Sequence, residues 1–424
     1  MAVIENFKKP FFLASLICIF IFYSGIFIIP ERNLFNSLID RGEIVALEGE
    51  IISTPVKMSS GKYYSSILQA SSVEGREGKK SSAYGRVKLY IPTEMIEIYF
   101  PGKIYSAAFK KGSFLYEAGG SFSFRGRLSG TGAGSGDGFY VSSCTSSRWP
   151  STILGKIDFF RALCRLHFKR LMFKWGEAGG LLLALLSGSR EYTDFQTADA
   201  FRNAGLSHIL ALSGMHLSMF SAIAILLGDI VGRKKITYLI RIIALILFVW
   251  FAGFSPSLLR AFICASLSLM AAMNSSSKTD LVLILSFSFI LQCIISPSDI
   301  HNIGFIMSYG ALAGILLTSN FFRYLYSKFM PKALANSLSA STGAQFITAP
   351  VSLKVFGSFC PVGVIATSMV SPLVTVFIYS GLALIILSLA IPVLQAPSGI
   401  FINLQYNIIK FFVILFSRTP KIQI

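Results

Sequence analysis

Acidic side chains are scarce in this chain. Its 424 residues include 20 Asp and Glu against 38 Lys and Arg, for a net charge of +18. Only 14% of positions are charged, against roughly 25% in ordinary soluble domains. Beyond residue 178 the acids reduce to Glu191, Asp194, Asp199, Asp229, Asp280 and Asp299. None falls in the middle of an apolar run, which argues against carboxylate-driven proton coupling. Histidine is limited to His167, His208, His216 and His301. The six cysteines form no Cys-x-x-Cys spacing, which excludes a zinc knuckle or a paired redox site. Four of them lie in apolar runs as packing residues. Cys144 and Cys164 flank a stretch outside those runs, where a disulfide remains open. No internal repeat is visible, although transporters built on inverted halves carry one.

What the chain has in excess is apolar surface: 53% hydrophobic residues, 38 Phe and a mean hydropathy of +0.65. Several runs exceed the roughly 18 residues that a membrane-spanning helix requires. A soluble globular protein is excluded. The fold class expected is an α-helical polytopic membrane protein of about 8–10 transmembrane helices, with a small all-β, OB-like domain near the N-terminus on the extracytoplasmic side.

Four segments differ in texture. Residues 1–30 read as an N-terminal transmembrane helix: Lys8 and Lys9 precede an apolar run from Phe11 to Ile29, with no small-residue cleavage site after it. Residues 42–145 alternate in short runs between Gly-, Ser- and Pro-rich breaks, with strands expected at Ile44–Ile52, Tyr63–Ala70, Arg86–Ile91, Lys103–Phe109, Ser121–Leu128 and Phe139–Ser142. That is a small barrel of the OB type. The Gly130–Gly138 run lacks the Lys-Ser/Thr of a phosphate loop and reads as a linker. Residues 153–177 set Lys156, Arg161, Arg165, Lys169, Arg170 and Lys174 against Phe159, Leu163, Leu166, Leu171 and Phe173 at helical spacing, as in a helix lying at lipid headgroups. Residues 178–424 form the main transmembrane domain.

Within it, helices are expected near 205–227, 236–254, 258–273, 280–296, 303–319, 333–351, 362–390 and 400–417, after a short apolar piece at 179–188. The run 362–390 reads either as one span or as two halves around Pro372. Arg233-Lys-Lys235 and the cluster Arg323, Lys328 and Lys332 are separated by four proposed spans, so both fall on one side, which the positive charge makes cytoplasmic. The location implied is multi-pass in the cytoplasmic (inner) membrane.

The chemically unusual stretch is Gly205-Leu-Ser-His-Ile-Leu-Ala-Leu-Ser-Gly-Met-His216. Ser207, His208, Ser213 and His216 on an apolar helix are expensive in lipid and normally face a pathway or the bundle interior. Gly214 allows close helix approach or a break. His208 and His216 are separated by about 12 Å of helical rise, so they share no metal unless the helix breaks. Ser255-Pro256 suits an N-cap with Pro at the first helical position, which puts Arg260 one turn into a membrane helix. Asn302, Ser308 and Tyr309, and Gln345 with its neighbouring Ser and Thr residues, complete the polar inventory. A serine protease built on Ser207 or Ser213 with His301 is disfavoured, because His301 falls at a helix end.

Taken in order, these blocks resemble the ComEC-type competence (DNA-internalisation) family. The segment from Gly205 onward, GLSHILALSGMHLSMF, is similar to the family's GLSHLLAISGLHVGLL. The stretch ending in Arg190 matches its LLxGxR, and Pro256 to Ala261 match its PSxxRA. SPSDIHNIGFIMSYGALAGIL, AQFITAPVSLKVFG and ATSMVSPLV resemble later blocks, over about residues 178–390. The resemblance implies a channel, not an enzyme, that passes single-stranded DNA across the cytoplasmic membrane during natural transformation. Its channel-lining or structural signature residues would be Ser207, His208, Ser213, Gly214, His216, Arg260, Asn302, Ser308 and Gln345, with no metal and no cofactor. It implies single-stranded DNA and membrane lipid as partners, together with a separate nuclease, DNA receptor and cytoplasmic helicase, and leaves a homo-oligomer open. No HxHxDH of the family's metallo-β-lactamase-like domain occurs in this sequence, so the strand-degrading activity of that domain is expected to be absent or to come from another polypeptide. The alternatives are a secondary transporter of a small solute and a diverged relative that transports nothing.

Overall fold

The structure is a computed structural model and describes residues 10–23, 35–58, 60–97, 115–129, 138–232, 234–253, 255–274 and 280–423. The expected strand at Lys103–Phe109, nearly all of the Gly130–Gly138 linker and Arg233 lie outside these residues. The chain divides into two compact units. One runs from Pro30 to Leu183 with Ser189–Tyr192, and the other comprises Met1–Ile29, Ala184–Gly188 and Thr193–Ile424.

The first unit is built on a barrel. In chain order its elements are β1 (Asn36–Ser37), β2 (Ile44–Ile51), β3 (Val56–Lys57), β4 (Tyr63–Gly75), β5 (Lys80–Tyr84), β6 (Arg86–Pro92), α2 (Thr93–Glu97), β7 (Ser121–Ser129) and β8 (Gly138–Arg148). Strand β4 pairs with β2 and β6, β2 with β7, and β7 with β8. A parallel β6–β8 pairing then closes the ring. Five strands closed this way form a small OB-like barrel. The alternation that made the strands legible is the alternation of its wall: Val87, Leu89 and Ile91 of β6 are buried, while Arg86 before them and Lys88 between them are exposed. Tyr64, Leu68, Phe122, Phe124 and Phe139 fill the same core. Gly126 sits at a bulge in β7, where a Cβ would stand 2.0 Å from the Tyr140 carbonyl oxygen. The strand turns there because no side chain intervenes.

Helix α3 (Ile153–Lys174) caps this barrel, with Thr152 accepting from the Gly155 N–H at its start. Ala162 and Leu166 join the barrel core. The headgroup reading of its cations needs correction at two of them. Arg165 and Lys169 are 2% and 5% exposed, one helical turn apart on one face, and they turn inward. Arg165 Nε and Lys169 Nζ each lie 3.2 Å from Glu117 Oε1, and Lys169 Nζ lies 2.8 Å from Glu191 Oε1. Arg165 also donates to Ser189 Oγ at 3.1 Å. Toward the N-terminal end of the helix the apolar residues are open: Ile153, Leu154, Ile157 and Phe160 are exposed. Cys144 and Cys164 are free thiols, as are the other four cysteines, so the disulfide left open above does not form. Cys144 Sγ instead donates to the Ser146 carbonyl at 3.4 Å.

Helices dominate the second unit. Helix α1 (Pro10–Tyr23) packs on α10 (Leu281–Ile295), with Phe11 edge-on to Phe287. After α4 (Gly176–Ser187) come α5 (Phe195–Asn203), α6 (Ser207–Leu210), α7 (Gly214–Val231), α8 (Lys234–Ala252), α9 (Pro256–Asn274) and α10. The series ends with α11 (Ile303–Tyr326), α12 (Lys332–Phe356), α13 (Gly363–Ala390) and α14 (Gln395–Ser417). Neighbours in sequence pack as pairs: α7 with α8, α11 with α12, and α13 with α14. Short strands β9 (Ser358–Phe359) and β10 (Ile422–Gln423) pair beyond them.

Among the described residues, five helices are long and apolar enough to cross a membrane: Lys235–Ala252, Pro256–Met273, Ile303–Tyr326, Gly363–Ala390 and Pro392–Ser417. That is fewer than the eight to ten spans expected. Helix α10 has 15 residues, about 22 Å of rise, and falls short of the hydrocarbon core. Helix α12 has the length, but Asn336, Ser339, Ser341, Thr342, Gln345 and Thr348 dilute its apolar character. Helix α13 is continuous across Pro372, as α12 is across Pro350. A single span therefore replaces the two-halves alternative.

Candidate functional site

The expected helix over 205–227 is broken. Helix α6 ends at Leu210, Ala211 is extended, and α7 restarts at Gly214. Ser213 supplies the restart. It is extended at φ −137°, its N–H donates to His216 Nδ1 at 3.2 Å, and the two residues form a reciprocal capping box. This explains a histidine that is fully buried in an apolar helix: its ring satisfies a backbone donor that the break would otherwise orphan. Ser213 Oγ also lies 3.3 Å from His216 Nδ1. A nucleophile and base require that nitrogen to be available, whereas here the Ser213 backbone already occupies it. The geometry is that of a cap.

On one side the broken segment meets α13. Gly205, at φ +73°, approaches so closely that a Cβ would lie 3.1 Å from the Gly363 Cα. One turn on, Thr367 Oγ1 is 3.5 Å from His208 Nε2, and one turn further Ser371 Oγ donates to Met215 Sδ at 3.5 Å. Gly363, Thr367 and Ser371 are spaced by four, so they form one stripe of α13. Gln345 of α12 adjoins it, with its Nε2 at 2.7 Å from where a Gly363 Cβ would be. The two histidines therefore turn to different partners, even though the break that a shared metal would require is present.

On the other side lies α9. A Cβ on Gly214 would stand 3.6 Å from both the Arg260 Nη2 and the Ala261 Cβ. Ser255 accepts from the Leu258 N–H at 3.3 Å and Pro256 opens the helix, as the sequence implied. Arg260 is only 8% exposed. Its Nη1 donates to the Ser308 carbonyl of α11, and its guanidinium lies 5.9 Å from the Tyr309 ring centroid. No carboxylate pairs with Arg260 among the described residues, and its Nε has no hydrogen-bond partner there. Ser257 and Ser308 share a hydrogen bond at 2.7 Å.

Sequence reasoning missed the support behind Arg260. Gln292 of α10 is fully buried, donates to the Pro256 carbonyl at 3.1 Å and accepts from Tyr309 Oη at 3.0 Å. Ser288 lies 3.4 Å from the same hydroxyl and accepts from Cys264 Sγ at 3.2 Å. The signal was available, since an amide alone in an apolar run is as costly as the polar residues of 207–216. The Thr367–Ser371 stripe was missed as well, because hydroxyls that can bond back to a carbonyl one turn earlier are ordinary in a helix. Of the expected residues, Arg260 donates to the Ser308 carbonyl and adjoins Gly214, while His208 and Gln345 adjoin α13. Ser213 and His216 form the cap. Ser207 opens α6 at an exposed position. Asn302 is an exposed N-cap on α11, accepting from Gly304 N–H at 2.8 Å, and does not join the cluster.

Comparison with known proteins bears on this same region. ComE operon protein 3 of Bacillus subtilis (strain 168) is 27% identical over 212 residues, which cover 48% of this chain and 26% of that relative. This chain thus matches about a quarter of the relative's length. No solved structure matches. A family model described as Competence protein matches residues 185–424, more than half of the chain and all of the segments that build the cluster around Arg260, so the chain belongs to the Competence protein family.

Proposed function

We propose that the helical unit serves DNA uptake in competence, as a passage for single-stranded DNA across the cytoplasmic membrane. The observation that carries this reading is Arg260: a buried cation without a carboxylate partner among the described residues, set beside the first residue of α7. A lone charge in an apolar bundle is costly unless something compensates it. A helix N-terminus carries partial positive charge and orphan N–H donors. Two positive elements turned toward one place favour a passing anion, and a phosphodiester strand supplies one at every nucleotide. The hydroxyl stripe of α13 and the broken segment opposite offer polar groups along the same region, as non-helical backbone at membrane depth requires. The role is that of a conduit, without bond-making chemistry. The barrel stands on the extracytoplasmic side in this reading, and the strand-degrading nuclease, the DNA receptor and the cytoplasmic helicase are separate polypeptides.

The test is transformation in the host after deletion of the gene, with complementation by the intact chain, Arg260→Lys or Arg260→Gln, and membrane abundance measured beside each. Arg260→Gln at normal abundance is expected to lower strand uptake ten-fold or more, about 1.4 kcal/mol for one lost phosphate contact, and Arg260→Lys to restore part of it. Full uptake with Arg260→Gln would remove the passage from this cluster. Undiminished uptake in the deletion strain would remove it from the chain.

A further inference from the structure

Arg260 and the start of α7 carry more hydrogen-bonding capacity than their protein partners use. At that helix start the Ser213 hydroxyl takes the His216 N–H, and the His216 ring takes the Ser213 N–H. The N–H groups of Gly214 and Met215, in the first turn of an 18-residue helix, have no partner among the described residues. Beside them, the buried Arg260 gives Nη1 to the Ser308 carbonyl, while its Nε has no partner among the described residues. That carbonyl and the Tyr309 ring supply partial negative charge to the guanidinium, not a full countercharge. Asp299 hydrogen-bonds the Gln292 amide and forms no ion pair with Arg260 among the described residues. The hydroxyls of Ser257 and Ser308, 2.7 Å apart, use one proton in the bond they share and leave the other for a further acceptor. Gly214 leaves room among these groups. A Cβ there would stand 3.6 Å from both Arg260 Nη2 and Ala261 Cβ, an ordinary contact distance. The gap is therefore about the size of a methyl group.

We infer that this gap binds a small inorganic anion of the chloride type, held between the Arg260 guanidinium and the N–H groups of Gly214 and Met215. A buried cation without a full countercharge is costly. A helix N-terminus presents aligned N–H donors and the positive end of its dipole, which together favour an anion. One monovalent ion meets both needs: it neutralises the guanidinium and accepts from donors that the break would otherwise orphan at membrane depth. Size selects the ligand. Chloride is close to a methyl group in size, whereas a lipid headgroup brings a glycerol and acyl chains that a buried position between Gly214 of α7 and Ser308 of α11 does not admit. The inference rests on the passage reading for its place in function, since at rest the ion fills the position that a strand phosphate takes in transit. Its binding requires no strand.

The experiment titrates chloride into the purified full chain in detergent and follows thermal unfolding at constant ionic strength. Gluconate, too large for the gap, is the balancing anion. The wild type is expected to gain about 1 °C or more in Tm and to saturate, as for a ligand that binds only the folded state. Gly214→Ala fills the gap with a methyl group at ordinary contact distance, so it is expected to unfold normally in gluconate and to lose the chloride response. Arg260→Gln is expected to lose it too, while Lys328→Gln, at an exposed cation, keeps it. A wild type without a saturable response would overturn the inference, as would a full response in folded Gly214→Ala or Arg260→Gln. Phosphatidylglycerol that produces the Arg260-dependent shift in gluconate, with chloride inert, would overturn it in favour of a lipid headgroup. If neither variant folds, equilibrium dialysis of the wild type with radiolabelled chloride decides: about one ion per chain is expected, and none would overturn the inference. Failure here leaves the passage reading to the uptake of Arg260→Gln, and normal uptake in that variant leaves chloride binding untouched.

Discussion

Glu117 shows how much one side chain holds. It is 4% exposed between Arg165 and Lys169. Burial alone would raise its carboxyl, but Lys169, Arg165 and Arg161 hold it down at about 2. Glu191 goes the other way: burial pushes it up, although Lys169 opposes the shift. Such a network contributes little net stability when intact and costs much when one partner is removed. Glu117→Gln leaves Arg165 and Lys169 with one carboxylate in place of two, an expected loss of about 3–5 kcal/mol, measured by thermal unfolding of the purified chain. The pH dependence has a definite sign. Because the folded carboxyl sits below the 4.5 of a free one, its contribution is complete above pH 4.5 and is lost as pH falls toward about 2. The gap between wild type and Glu117→Gln should be constant at higher pH and close over that window. Equal stability near neutral pH would show that the cluster does not hold α3 on the barrel. None of this was legible in the sequence. Glu117 lies 48 and 52 residues from its partners, and the helical spacing of the cations suits a solvated face as well as a buried one.

At the scale of elements, the strands that close the barrel and the long apolar helices were legible in place, although β4 and β8 run further than expected and β1, β3, β5 and α5 were not read. Strand alternation marks a wall with one wet face, and long apolar runs mark helices whatever their partners. The break between α6 and α7 was not read, because Ile209, Leu210 and Leu212 continue the apolar pattern straight through it and all three are buried. The relevant signal was local chemistry: Ser213 followed three residues later by His216 is a cap written with an imidazole in place of the usual Glu or Gln. His216→Leu keeps the helix apolar but orphans the Ser213 N–H, at an expected cost of about 0.5–2 kcal/mol, and His216→Gln should recover part of it. Stability curves of the two variants in detergent check this. A leucine variant as stable as the wild type would mean that the cap carries no weight and the histidine is held for another purpose.

For the whole molecule, a small OB-like barrel and an apolar helical unit each have a core and a polar cluster of their own. The five long apolar helices, the buried Arg260 and the hydroxyl stripe of α13 are the features that a membrane conduit for an anionic strand requires. The sequence pointed to Arg260 and Ser308 because polar groups are conspicuous in apolar runs, and to Gly214 because a glycine permits close approach or a break. It did not show that α13 completes the arrangement, since Thr367 and Ser371 each look like ordinary helix residues that bond back to a carbonyl one turn earlier. The most direct measurement of the central claim is cross-linking of a strand in transit. Competent cells take up an oligonucleotide bearing photoreactive bases, are illuminated during uptake, and the adducts on this chain are mapped by mass spectrometry. The account predicts adducts in 205–216, 256–264 and 363–371, reduced in Arg260→Gln. Adducts confined to the barrel, with none in those three segments during active uptake, would contradict a passage through the helical unit.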